Sequence, residues 1–346
     1  MSQKKGETGQ LADGGVTVIA EIGVNHNGSL ESAQRLVDAC SDAGADLAKF
    51  QTFRASDLAS VDAPLADYQK TSSGSRGQRD LLASLELSQE QFLELRDYCH
   101  ERNIGFLTTA HDFTSAEFVM DLKSDFIKVP SGDLTNLPFL QLVGRQGAPV
   151  LLSTGASDLA EVGEAINVLE SAGLARSHLT IMQCTTEYPA PASEANLLAM
   201  VEMGKRWGVA IGFSDHTAGD TAAIAAVALG ATVLEKHITL DRSMTGPDHA
   251  ASLEPSEFSR LVASVRRVRE LRGESEKAVT PSEEKNRDVV RKSIVASRRI
   301  RTGDLLHDGH LGVTRPGTGV SPMRWPEVVG TRAHRGYLPG EMIELI

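Results

Sequence analysis

Residues 209–237, VAIGFSDHTAGDTAAIAAVALGATVLEKH, decide the fold class. VAIGFS (209–214) and TVLEKH (232–237) are short apolar or β-branched runs, and a longer Ala-rich stretch lies between them. Strand, helix and strand in that order are the unit of a parallel sheet. Working outward, the same alternation gives VTVIAEIG (16–23), ADLAKFQ (45–51), IGFLTT (104–109), DFIKVPS (125–131), PVLLST (149–154) and LTIMQC (179–184). Eight such strands with seven or eight intervening helices predict an α/β fold, a closed (β/α)8 TIM barrel over residues 16–271, with a doubly wound open sheet as second choice. Its last helix is expected at Pro255 to Leu271.

The chain of 346 residues leaves room for one small further unit beyond a barrel of about 250. Hydrophobic residues at 41%, charged residues at 23% and 31 Gly exclude disordered, collagen-like and coiled-coil classes. The first 15 residues form a polar tail without the apolar segment of a secretion signal. The longest nearly apolar run, Ala222 to Leu234, has about 13 residues where a membrane helix takes about 20. A cytoplasmic protein is therefore expected. Cys40, Cys99 and Cys184 are odd in number and lack CxxC spacing, so they read as core residues rather than a disulfide framework or zinc site. The net charge of −11 disfavours nucleic acid and anionic membranes as partners.

That charge is uneven: residues 287–346 carry ten Lys/Arg and six Asp/Glu, or +4, which leaves −15 on residues 1–286. Residues 272–286, RGESEKAVTPSEEKN, read as a linker. After it, SIVA, VVG and EMIEL separated by RPGTG and LPGE predict a small β-rich domain over 287–346. The stretch Arg54 to Leu87 is too long for an ordinary connection and reads as a lid.

In a barrel the active site lies at the carboxyl ends of the strands. Those ends carry Glu21; Lys49 and Gln51; Thr108 and Thr109; Lys128, Ser131 and Asp133; Ser153 and Thr154; Gln183, Thr185, Thr186 and Tyr188; Ser214, Asp215 and His216; Glu235, Lys236 and His237. Lys49 and Lys128 sit in apolar strands, and a buried ammonium is costly unless an anion meets it. A phosphate or carboxylate ligand would supply that anion, with Ser131, Ser153, Ser214 and neighbouring N–H groups completing a cradle; salt-bridged lysines are the alternative. His216 and His237 end consecutive strands, which suits a divalent cation; two ordinary histidines bonded to Asp215 and Glu235 are the alternative. Asp248 or His249, in the loop after the eighth strand, adds a further polar group. Glu21 is a candidate general base, or the partner of a lysine. Arg315 in RPGTG stands at a turn tip, or is simply a solvated surface arginine.

AEIGVNHNGSL (20–30), AKFQTF (48–53), IKVPSGDLTNLPFL (127–140), LLSTGAS (151–157), EYPAP (187–191), IGFSDHT (211–217), EKHITLDRSMTGPDHAASLEP (235–255) and RKSIVASRRIRTGDLL (291–306) together resemble the sialic acid synthases. The resemblance implies a barrel, a linker and a small antifreeze-like (SAF) domain. It implies condensation of phosphoenolpyruvate with an N-acylated mannosamine-type sugar, with release of phosphate and with a divalent metal, Mn2+ or Mg2+. Lys49, Thr109, Lys128, Ser131, Ser153 and Ser214 match positions that bind phosphoenolpyruvate, and His216 and His237 match metal ligands. Glu21, Tyr188, Asn286 and Arg315 match positions that face the sugar, Arg315 from the partner subunit of a domain-swapped homodimer. Gln51, Asp133 and Thr186 complete the expected substrate-binding set, and Glu21, Lys49 and Lys128 the catalytic one.

The chain departs from that pattern at three places. Thr108-Thr109-Ala110-His111 stands where many relatives read STPF, Asp133 replaces a common Glu, and Thr186 stands where some have Asn. The main reading is N-acetylneuraminate synthase acting on N-acetylmannosamine; the alternative is N,N'-diacetyllegionaminate synthase acting on 2,4-diacetamido-2,4,6-trideoxymannose. APLADYQ (63–69) resembles both subfamilies. A Schiff-base aldolase using Lys128 and a non-catalytic sugar-binding protein are the competing classes.

Overall fold

The computed structural model describes residues 15–65 and 77–346, so most of APLADYQ falls outside the described residues. The chain divides between Gly273 and Glu274 into two compact units. No helix among the described residues is long and apolar enough to cross a membrane.

The first unit is built on eight parallel strands: β1 (Thr17–Gly23), β2 (Leu47–Thr52), β3 (Gly105–Ala110), β4 (Ile127–Val129), β5 (Val150–Ser153), β6 (Leu179–Gln183), β7 (Ala210–Asp215) and β8 (Val233–His237). They are hydrogen-bonded in the order β3-β2-β1-β8-β7-β6-β5-β4, and β3 lies against β4, so the sheet curls into a nearly closed TIM-like barrel rather than an open doubly wound sheet. Each expected strand is present. The last helix of the unit runs Pro255–Arg272, opened by a proline in its first turn, where the missing N–H costs nothing. Arg266 ties it back to the barrel through Asp46, which also accepts from the Val18 N–H.

Side chains alternate across each strand, and that alternation sorts the two cores. On β1, Val18, Ala20 and Ile22 face the helices with Ala48 and Phe50 of β2 and Leu234 of β8, packing on Leu36, Leu95 and Phe258. The opposite set, Ile19, Leu47, Leu107, Leu151, Met182 and Val233 with Phe126, fills the barrel interior. Two residues further along each strand the interior turns polar: Ile19 is followed by Glu21, Leu47 by Lys49, Leu107 by Thr109, Leu151 by Ser153 and Val233 by Glu235. An apolar floor thus supports a polar tier at the carboxyl ends.

The stretch 54–87 is partly helical, with turns at Ala55–Leu58 and Gln78–Leu85; Leu81 and Leu85 pack on Val24 and Phe53. The Ser84 carbonyl comes so near Gly28 (φ +72°) that a Cβ there would stand 2.5 Å away, which demands glycine.

In the second unit, β9 (Ser293–Ala296) pairs antiparallel with β10 (Leu311–Thr314) around Ile294, Ile300, Leu311, Val328, Tyr337 and Ile343. Of the runs expected as strands, SIVA is one. VVG is not: Val328 ends the short helix Trp325–Val328, because Pro326 in its first turn starts a helix. EMIEL contributes only a bridge from Met342 to Val295. Within 272–286, Pro281–Glu284 forms a helical turn capped by Thr280.

Candidate active site

Parallel register brings residues distant in sequence into one tier: Glu21 lies beside Lys49 on one side and His237 on the other, and Ser214 lies beside Glu235. The Lys49 ammonium donates to Glu21 Oε2 at 2.7 Å and lies 3.5 Å from Glu235 Oε1. Lys128 donates to both Glu235 oxygens, at 3.1 and 3.2 Å. Gln51 Nε2 donates to Glu21 Oε1 at 3.0 Å, and Ser214 Oγ to Glu235 Oε1 at 2.9 Å. Both lysines are therefore salt-bridged inside the protein, in a chain of two ammoniums and two carboxylates. Glu235 is the centre of that chain. The sequence shows it only as one of three charged or titratable residues in a row, and the register alone reveals that it faces inward while Lys236 faces out.

Burial works against every charge in this tier, and the neighbours decide the outcome. Glu235 is pushed up by burial, but Lys128 and Lys49 outweigh this and hold it well below the usual carboxylate range. Glu21, with one lysine and with Glu235 close by, stays raised, chiefly by burial. Burial alone would lower Lys49; the two glutamates reverse that and raise it.

His216 and His237 stand with ring centres 5.6 Å apart, and the Tyr188 ring lies 4.2 Å from His216 and 5.6 Å from His237. His216 Nδ1 lies 2.6 Å from the Thr185 carbonyl, which only accepts, so Nδ1 carries the proton and Nε2 keeps a lone pair. Burial keeps His216 neutral, its pKa down to about 4, and holds His237 well below the usual imidazole range, with His216 and Lys49 adding to the effect. His237 Nδ1 is buried without a hydrogen-bond partner; the nearest carboxylate, Asp248, is 3.8 Å away. Neither histidine is held as the bland alternative required. Asp215 points outward to Lys236 and Thr217, and Glu235 serves the lysines. Asp248 itself is pushed up to about 7 by burial first and Glu21 second.

On the other wall, Ser131 Oγ accepts from the Gly155 N–H at 3.0 Å and lies 3.2 Å from Cys184 Sγ. A Cβ on Gly155 would stand 2.3 Å from Thr186 Oγ1 and 2.8 Å from Ser131 Oγ, so glycine lets these groups meet. Thr109 Oγ1 and Ser153 Oγ are buried without a hydrogen-bond partner. Asp133 is half-buried, raised by burial, and accepts from Asn136 at 2.8 Å. Asn286 and Arg315 belong to the second unit and are exposed; Arg315 Nε donates to the Val290 carbonyl at 3.2 Å. The barrel residues named from sequence thus line one mouth, and the signal that would have found Glu235 is parity with Val233.

Residues 36–277 match the NeuB family model and residues 291–344 the SAF domain. The chain belongs to the NeuB family. Two relatives are N,N'-diacetyllegionaminic acid synthases: that of Campylobacter jejuni is 42% identical over 94% of this chain and 98% of its own, and that of Legionella pneumophila 39% over 91% and 89%. Among solved structures, the N-acetylneuraminic acid synthetase of Leptospira borgpetersenii, in complex with citrate, superposes with a TM-score of 0.69 at 29% identity, covering 79% of this chain and 90% of its own. This NeuB-family chain is accordingly an enzyme, a transferase of the nonulosonic acid synthase class that forms a carbon–carbon bond with phosphoenolpyruvate.

Proposed function

We propose that this enzyme condenses phosphoenolpyruvate with 2,4-diacetamido-2,4,6-trideoxymannose, giving N,N'-diacetyllegionaminate and phosphate. One observation carries the choice of sugar: the two legionaminic acid synthases resemble the chain at 42% and 39% identity over nine-tenths of its length, against 36% over 84% of it for the human N-acetylneuraminate-9-phosphate synthase. N-acetylneuraminate synthesis from N-acetylmannosamine, the main reading of the sequence, becomes the second choice.

In this reading C3 of phosphoenolpyruvate bonds to the sugar's aldehyde carbon, water adds at C2, and the bond from C2 to the phosphate oxygen breaks as C2 becomes a ketone; of the two protons of that water, one ends on the former aldehyde oxygen and the other on phosphate. Lys49 and Lys128 balance the phosphate charge throughout, in a buried setting where that balance is worth more than in water. Thr109 and Ser153, unpartnered within the protein, donate to donor oxygens, and Ser131 with Ser214 and Gly155 shape the same cradle. Glu21, its two oxygens fixed by Lys49 and Gln51, takes the proton of the adding water. Tyr188 and Thr186 face the sugar with Asp133 and Gln51, and Asn286 and Arg315 complete the substrate set in a homodimer.

The two neutral imidazoles suit a divalent ion completed by oxygens from solvent or substrate, because His237 Nδ1 lacks a partner and His216 Nε2 keeps its lone pair. Among the described residues no group of three or more ligating side chains is assembled; His216 and His237 are the two side chains that would hold the ion. An ion held there supplies Lewis-acid polarisation of the aldehyde oxygen.

The test is phosphate release from phosphoenolpyruvate with manganese, run with each sugar and repeated with EDTA. Release with the diacetamido sugar, abolished by EDTA and slow with N-acetylmannosamine, is expected. Release with N-acetylmannosamine alone would overturn the choice of sugar. The mass of the full chain in solution checks the dimer.

A further inference from the structure

His111 follows β3, and its backbone N–H donates to the Thr52 carbonyl at 3.1 Å, extending the β3–β2 ladder by one residue. Leu107 lies in the barrel floor and Thr109 in the polar tier, so the period of two puts His111 on the same inward face, one step nearer the mouth. The next residue, Asp112, caps the helix Phe113–Asp121. Its Oδ1 accepts from the Ser115 N–H, and its Oδ2 accepts from the Arg54 N–H and the Ser115 hydroxyl. The imidazole is therefore carried on a backbone pinned on both sides.

His111 Nε2 is buried and has no hydrogen-bond partner. A polar atom fixed in this way, with nothing to bond, carries a desolvation cost that a ligand atom would cancel. The ring borders a cavity of about 340 Å3 lined also by Asp57, Asp112, Asp133, Asn136, Phe113 and Phe139, so the positive charge for an anion has to come from the lysine side of the ring. It lies within electrostatic reach of both tier lysines: burial first, then Lys49 and Lys128, keep it neutral, its pKa lowered to about 4. A neutral imidazole donates from one nitrogen.

We propose that His111 donates a hydrogen bond from Nε2 to an anionic oxygen of the phosphate-bearing donor substrate held between Lys49 and Lys128, and so sets affinity for that substrate and not for the sugar. The inference rests on the proposed condensation for the identity of the donor. It adds a residue that the match to family positions did not supply. A phenyl ring at this place fills the volume and offers no N–H; the imidazole does both.

The experiment compares the full-length enzyme with His111→Phe, which keeps the ring and removes the donor, and His111→Gln, which returns an N–H near Nε2. In steady state, His111→Phe should raise the KM for phosphoenolpyruvate about tenfold, equivalent to about 1.4 kcal/mol, with the sugar KM unchanged. His111→Gln should recover most of that loss. Equal rises in both KM values, or no rise in the donor KM, would overturn the role. Calorimetric titration with inorganic phosphate and with pyruvate separates the two ends of the donor. Weaker phosphate binding in His111→Phe places the bond on the phosphate, and weaker pyruvate binding places it on the carboxylate. Phosphate and pyruvate binding both unchanged by the substitution would again overturn it. If the wild-type enzyme released no phosphate with either sugar, the condensation would fail, while these titrations would still decide whether His111 binds an anion.

Discussion

Glu235→Gln removes one charge from the centre of the tier and almost nothing of its shape. In the wild type the two glutamates balance the two lysines; in the variant the tier carries +1. Lys49 keeps Glu21 at 2.7 Å, but Lys128 loses the carboxylate that received it at 3.1 and 3.2 Å, and both side chains are only about 5% exposed. Breaking a buried pair on one side costs about 3–5 kcal/mol. For a domain of this size that corresponds to a fall in Tm of roughly 6–20 °C. The uncompensated ammonium also makes the mouth a better anion site, so inorganic phosphate should restore more of the variant's Tm than it adds to the wild type's. Scanning calorimetry with and without phosphate measures both effects. Replacing the pair together, Lys128→Met with Glu235→Leu, should recover most of the lost stability, because no charge is then buried alone. An unchanged Tm in Glu235→Gln, or the same phosphate response in both proteins, would refute the account of Glu235 as the common partner of the two lysines.

Gly155→Ala should cost about 1–3 kcal/mol, since its Cβ would meet Thr186 Oγ1 at 2.3 Å; adding Thr186→Ala should return more than half, measured by urea unfolding. His26, buried and accepting from the Gly28 N–H through Nδ1, has a pKa lowered from 6.5 to about 4, mainly by burial. Its charged form is therefore disfavoured in the folded state: stability is unaffected above pH 6.5 and falls as the pH drops from 6.5 to about 4, by about 3 kcal/mol in all. His26→Asn, which keeps an acceptor for Gly28, should flatten that part of the stability profile; an identical acid slope would disprove the assignment. Lys236→Met strands Asp215 on the helix-facing side of the barrel and should lower Tm by an amount like that of Glu235→Gln, yet leave the response to phosphate untouched.

The barrel was legible because each strand is a short apolar or β-branched run closed by Gly, Pro or a polar turn, and such runs need no knowledge of their neighbours. The lysines were legible as anomalies, charges inside apolar strands. Of their partners, Glu21 was legible as an alternative, 28 residues from Lys49, but Glu235, 107 from Lys128, was not, because only the register joins them. An external anion was therefore expected to meet the ammoniums first, where internal carboxylates already do. The histidine pair was legible from strand order, but the Thr185 carbonyl that sets the His216 tautomer was not. In the second unit, VVG has strand-like composition, and the proline two residues earlier decided for a helical turn.

The pairing of the tier lysines within the protein bears on selectivity among the anions of a cell. A bare ammonium would hold chloride or any passing carboxylate. Here a bystander must compete with glutamates fixed at hydrogen-bond distance, and a singly charged ion making one contact gains too little to displace them. Entry is reserved for a ligand whose several oxygens can engage the unpartnered hydroxyls and both lysines at once. The internal carboxylates act as a threshold, and since they hold the ammoniums in place until a ligand arrives, a ligand that passes it finds the site already formed.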